Sequence, residues 1–243
     1  LWPSVLFWGS PPIKEALLFL GLGLFLFNLF KLMAAPWRWT GWAALIFGVL
    51  LQLVLKSYVM LLMTPGIIAL WWCRRTGDRR PLLKFAAVHL ACVALVLCVP
   101  LLFPGLDVLA VIRQKQLDML GVVLSTHPGS FIPVAPLARG VGGFIAQAPH
   151  ALFMAFLSPL TTWNIGVMGM VGAAEDLLMR LMIPAALLLA RPWREIDLPL
   201  FLFCAGFCLF LGLLIGWTTP VVGALLRYRV PLLPFFAIAL LLI

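Results

Sequence analysis

The chain reads as a succession of apolar blocks, most of them near twenty residues, separated by short polar breaks. Blocks of that length predict helices that cross a bilayer, at ~20 residues per crossing. Ile13 to Met33 is the first, followed by Lys31 and Arg38 at its end. Gly41 to Trp72 is longer, and its 32 residues would make a helix of ~48 Å against a hydrocarbon core of ~30 Å. Lys56 near its middle and the pair Pro65-Gly66 predict two short spans forming a hairpin, with one long kinked helix as the alternative. Leu82 to Phe103 follows, closed by Pro104-Gly105. Spans at Gly166 to Ala190, Leu198 to Trp217 and Val230 to Ile243 bring the total to about seven. The fold class predicted is an all-α, polytopic integral membrane protein. Residues 1–104 hold about four spans and residues 165–243 about three.

Between them the apolar pattern breaks. Asp107 to Leu124 has the look of an amphipathic helix, with Arg113, Gln114, Lys115, Gln116 and Asp118 interrupting Leu and Val. Pro128, Pro133, Pro136 and the cluster Gly140, Gly142, Gly143 predict irregular backbone. Ile145 to Leu157 is a second short helical candidate, with Pro149 and Pro159 as its breaks. Residues 105–164 are thus expected to be an extramembrane segment with amphipathic helices.

Composition sharpens this picture. Hydrophobic residues make up 64% and charged residues 10% of the 243, where a soluble domain carries about a quarter charged. That excludes a soluble globular protein, a disordered chain and a secreted disulfide scaffold. The net charge of +9 does not point to nucleic acid, because Arg and Lys sit between apolar blocks rather than on one face. The lipid bilayer is the expected partner. Parity then orients the chain: placing Arg74–Arg80 in the cytoplasm places Lys31, Arg38, Arg191 and Arg194 there too. Nine Lys and Arg fall on that side and eight on the other, four of the eight in or just after the long segment, where the rule is weak. The extracytoplasmic side receives residues 105–164 and the patches Lys14-Glu15, Lys56 and Arg227–Arg229. The cysteines (73, 92, 98, 204, 208) read as small hydrophobes, with Cys204 and Cys208 on one helix face. Residue 1 is Leu and no charged region precedes a short apolar stretch, so no signal peptide is read and further sequence is expected beyond one or both ends.

Polar groups in so apolar a chain each need a reason. Lys14-Glu15 stands at the outer start of the first span, where a Trp belt with an acid at the helix N-terminus is the plain alternative to a site. Asp176 and Arg180 are i, i+4 partners on a helix, which leaves Glu175 as a carboxylate pointing elsewhere. If buried, Glu175 is a candidate for binding or proton transfer; a helix that starts later, with its acids in the first turn, is the alternative. Arg227-Tyr228-Arg229 precedes the last span, and paired guanidinium forks suit a phosphate; lipid headgroup anchoring is the alternative. His127 and His150 are expected to be surface or packing residues, and His89 a packed polar group within a span. No spacing of His, Cys, Asp or Glu suggests a metal site, and no nucleotide loop or HExxH, CxxC or GxSxG pattern occurs.

Three stretches resemble one family. Arg227-Tyr228-Arg229-Val230-Pro231-Leu232-Leu233-Pro234-Phe235-Phe236-Ala237 is similar to the RY-x-x-P-x-x-P signature of GT-C superfamily glycosyltransferases. Pro3-Ser4-Val5-Leu6-Phe7-Trp8-Gly9-Ser10, with Lys14-Glu15, resembles their outer-loop segment, although Pro11-Pro12 replaces the usual Gly. Lys56-Ser57-Tyr58-Val59 with Pro65-Gly66 looks like an internal segment of bacterial members. The resemblance implies a glycosyltransferase of the bacterial inner membrane, or its carboxyl-terminal part. It would transfer a sugar from a polyprenyl-phosphate donor to an extracytoplasmic acceptor in cell-envelope glycan assembly. The family's catalytic Asp or Glu lies in a first outer loop upstream of the Phe-Trp segment. Arg227 or Arg229, beside Tyr228, would contact the carrier phosphate, Lys14-Glu15 would border the site, and Glu15 and Glu175, the glutamates expected on the outer side, would be the candidate catalytic carboxylates. A non-catalytic subunit joined to other membrane subunits, or a transporter of lipid-linked substrate, is the rival expectation; no two-fold repeat favours the transporter.

Overall fold

The computed structural model describes residues 14–34, 39–77, 79–103, 105–126, 131–158, 167–188 and 195–243, without the side chains of 167–169, 171, 172, 175 and 176. In chain order the helices are α1 (Lys14–Ala34), α2 (Trp39–Arg75), α3 (Pro81–Leu102), α4 (Val108–Thr126), α5 (Val141–Leu157), α6 (Val167–Leu188), α7 (Leu198–Thr218), α8 (Val222–Arg229) and α9 (Leu233–Leu242). A 3₁₀ turn, Val230–Leu232, joins α8 to α9. Pro231 and Pro234 lack the N–H that a regular helix would use there, and the turn tightens rather than breaks. No strand forms among the described residues beyond an isolated bridge between Phe131 and Val221. The chain is an all-helical, multi-pass membrane protein.

Among the described residues, five helical stretches are long and apolar enough to span a bilayer, the two arms of α2 counted as one: α1, α2, α3, α7 and the α8–α9 run Val222–Leu242. Sequence pattern led to about seven; two local features account for the difference, and a third moves the start of the last span. Residues 39–75 comprise two helical arms that meet at Lys56 (φ −149°, ψ 75°), one of the two breaks the sequence offered, and not at Pro65-Gly66; the first arm runs antiparallel to α1, with Gly48 against Gly21 and Lys56 against Glu15. Pro65 stays inside the helix, and Gly66 beside it admits Phe203, whose Cδ2 would lie 2.8 Å from an added Cβ. The stretch predicted at 166–190 is helical as α6, but its apolar part among the described residues is the shorter Leu177–Leu188. The last span starts at Val222 instead of Val230, which draws Arg227, Tyr228 and Arg229 inside it. In the intervening segment, α5 begins at Val141 and carries Pro149 within it.

Packing centres on α7, which lies against α2, α3, α4, α5 and the α8–α9 run. Phe203 and Phe207 meet Phe235 of α9 at ring-centroid distances of 5.8 and 4.5 Å. Cys204 and Cys208 are buried in this core, as their shared helix face predicts, and no disulfide forms among the described residues. Leu82, Leu83, Leu90, Leu95 and Leu101 of α3 are exposed, as expected of a helix that faces lipid. Gln116 of α4 is buried and pins the extended stretch after it, accepting from Leu137 N (2.7 Å) and donating to the Ala135 carbonyl (3.3 Å).

The ends of three helices set a common frame. Arg74 at the end of α2 pairs with Asp197, and Asp197 also caps α7 by accepting from Leu200 N at 3.1 Å. From Arg74 back to Lys56 the second arm of α2 covers ~27 Å at 1.5 Å per residue, close to the ~30 Å hydrocarbon thickness. α7 covers a similar height from Asp197 to Thr218. Lys56 and the α7–α8 corner therefore lie toward one membrane boundary, and the Arg74–Arg80 turn lies at the other.

Candidate functional site

Glu15, in the first turn of α1, is fully buried. An acid is favoured there by the unsatisfied N–H groups of the helix N-terminus, but full burial requires closer counter-charges. Arg227 of α8 supplies one as a fork, Nε to Oε1 at 2.6 Å and Nη2 to Oε2 at 3.0 Å. Lys56, at the break of α2, supplies the second, with Nζ 3.6 Å from Oε1. The Lys56 ammonium also lies 5.4 Å from the centroid of the Tyr228 ring, within cation–π range. Lys56 is 6% exposed, whereas the Arg227 side chain is 32% exposed and opens the cluster to its surroundings.

Small residues explain how these groups meet. An added Cβ at Gly48 would lie 2.8 Å from the Gly21 carbonyl oxygen and 2.8 Å from Phe25 N, so the two backbones are in direct contact. Close approach through small residues is the usual route to tight helix pairs in lipid. One turn before Lys56, Gln52 donates to the Leu18 carbonyl at 2.7 Å and fixes the register of α1 on α2. That register sets Glu15 against Lys56, and the turn back from α7 delivers Arg227 from the other side.

Of the residues singled out in the sequence, Glu15, Arg227 and Tyr228 converge here, and Lys14 beside them is exposed. Arg229 goes elsewhere. Two positions further along a helix, it emerges ~200° away from Arg227, is fully buried, and donates from Nη1 to the Ala155 carbonyl at 3.3 Å. The two arginines thus do not stand side by side on one phosphate. The side chains of Glu175 and Asp176, and residue 127, lie outside the described residues. Arg180 donates to the Leu157 carbonyl. His150 is exposed. His89 is packed, its Nδ1 2.7 Å from the Phe85 carbonyl and its ring stacked on Phe210 at 5.3 Å. No group of three metal-ligating side chains gathers among the described residues.

Lys56 is the member that the sequence reading did not assign to the site. Its signal was present: a lysine within a long apolar run is costly unless paired, and side parity had already put it with Lys14-Glu15 and Arg227–Arg229. What one dimension lacked was the register of α1 on α2. Chemically, one carboxylate and two cations carry a net charge of +1. Among the described residues no acceptor lies within hydrogen-bond distance of the Lys56 Nζ. Both oxygens of Glu15 are already engaged by Arg227, so Glu15 acts here as a counter-ion that holds the two cations. No protein-family model, curated protein or solved structure matches this chain.

Proposed function

We propose that the chain is a membrane-embedded glycosyltransferase, or the carboxyl-terminal portion of one, and that Lys56 and Arg227 bind the phosphate of a polyprenyl-phosphate sugar donor. The observation that carries this reading is the convergence of two cations from distant elements on one buried carboxylate near a membrane boundary. A lipid-linked phosphate is confined to that depth. The partly exposed fork of Arg227 is able to reach it, and the Lys56 ammonium has donors to spare. In sugar transfer the carrier phosphate is the leaving group, and fixed cations stabilise the charge that develops on it. The exposed Lys14 borders the approach. Positive-inside parity favours the extracytoplasmic face for the cluster; with the bacterial inner membrane that the family resemblance implies, residues 105–164 would cover the acceptor there.

Binding of a radiolabelled polyprenyl-phosphate sugar to membranes that carry the full chain tests the reading. Arg227→Ala and Lys56→Ala should each weaken donor binding at least tenfold. Unchanged affinity in both would remove the assignment. A second reading, a non-catalytic subunit that binds carrier phosphate for a partner, is favoured by the engagement of both Glu15 oxygens. Donor binding without sugar transfer to any acceptor would select it.

A further inference from the structure

At the opposite end of α2 and α3 from Glu15, the structure opens a cleft of about 680 Å³. Trp72 and Thr76 line one wall, Leu83 and Lys84 the other, and Arg79 and Arg80 close the turn between them. Residues 74–84 carry five cations and one acid, Asp78; of the cations, Arg74 is paired with Asp197. The Lys84 ammonium donates to the Thr76 hydroxyl across the cleft and ties its two walls together. Below this basic rim the walls turn apolar: Trp72 is 43% and Leu83 63% exposed, continuous with the lipid-facing leucines of α3. Charge at the rim with apolar walls beneath is the profile of a two-part ligand.

We propose that this cleft binds the headgroup of an anionic phospholipid, its phosphate held by Arg79, Arg80 and Lys84 and its acyl chains laid along Trp72 and Leu83. One observation calls for a phosphate, and two more favour a lipid over a soluble anion. The cations match a phosphate, for which arginine forks are suited. The cleft stands ~27 Å from Lys56 along α2, the depth at which headgroups of the opposite leaflet lie. The exposed Trp72 and Leu83 gain nothing from a soluble anion but do gain from acyl chains. Basic pockets between membrane helices are a general means of headgroup recognition. The site is separate from the Glu15 cluster, so the inference does not rest on the reading of that cluster.

The experiment uses the full chain in detergent, with dioleoylphosphatidylglycerol or dioleoylphosphatidylcholine added, and native mass spectrometry to measure retained lipid. Phosphatidylglycerol should be retained at least tenfold more strongly than phosphatidylcholine. Arg79→Gln and Lys84→Gln should each lower that preference threefold or more, with the other arginines of the turn left to maintain orientation. Lys115→Gln, an equal loss of charge on α4, should leave it unchanged. Equal retention of the two lipids would overturn the proposal. So would a preference that survives both cleft variants, or one that Lys115→Gln lowers as much.

Discussion

Glu15 carries two counter-ions of different kinds, and the difference decides what each substitution does. The Arg227 fork is partly open to its surroundings, while Lys56 is enclosed. Removing one partner of a buried pair strands the other, at a cost of ~3–5 kcal/mol. Glu15→Gln strands two cations, but Arg227 is able to rehydrate, so a loss near the lower end, ~3 kcal/mol, is expected. Lys56→Met leaves the Glu15–Arg227 fork whole and replaces an enclosed ammonium with an apolar chain of similar length, so its stability should stay within ~1 kcal/mol of the parent. In the double variant Arg227 alone is left without Glu15, and the loss should fall below that of Glu15→Gln. Denaturation in detergent followed by circular dichroism checks the order. A Lys56→Met variant as damaged as Glu15→Gln would show that Lys56, rather than Glu15, organises the cluster.

At the level of helices, stability in lipid depends on how closely backbones approach, since lipid chains remove the hydrophobic incentive to associate. Three glycines test this with different obstacles. At Gly216 an added Cβ would overlap the Ala151 carbonyl, and at Gly48 it would meet the Gly21 carbonyl and Phe25 N, all backbone atoms that move only with their helices. At Gly212 the obstacle is the Phe156 ring, 2.7 Å from the added Cβ, and a ring can rotate aside. Gly216→Ala and Gly48→Ala should therefore each cost ~1–3 kcal/mol of overpacking and lower Tm clearly more than Gly212→Ala. Equal shifts would mean that the α1–α2 and α5–α7 contacts are softer than drawn. The sequence displayed these glycines and most helix ends: α1, α3 and α7 fall within a residue or two of their predicted bounds. It did not display which glycine meets which backbone, because period and hydropathy describe a helix's own surface and say nothing of its neighbour. Lys56 and Pro65-Gly66 both offered a break in the sequence; what one dimension did not decide between them is that the lysine meets a carboxylate forty-one positions earlier, and the distortion sits there.

For the molecule as a whole, two polar clusters mark the ends of one bilayer-thick stretch, and everything proposed about function depends on which end faces out. The Arg74–Arg80 turn and the Glu15 cluster are held apart by the same arm of α2, so their sidedness is a single unknown rather than two. Charge parity favours Arg74–Arg80 inside, an inference available before any coordinate, while the distance that makes it one unknown came only from the fold. Cysteine accessibility decides the matter directly. Cys73, Cys204 and Cys208 are buried, and Cys92 and Cys98 lie on the lipid-facing α3, so replacing all five with Ala or Ser gives a silent background. In that background Lys14→Cys, at an exposed position beside the cluster, should react with a membrane-impermeant maleimide applied to intact cells or right-side-out vesicles. Arg79→Cys, exposed in the opposite turn, should react only after permeabilisation. The reverse pattern would place Lys56 and Arg227 at the cytoplasmic leaflet. A donor presented for transfer outside the cell would then never meet them, and the glycosyltransferase reading would fail even if both cations bound phosphate.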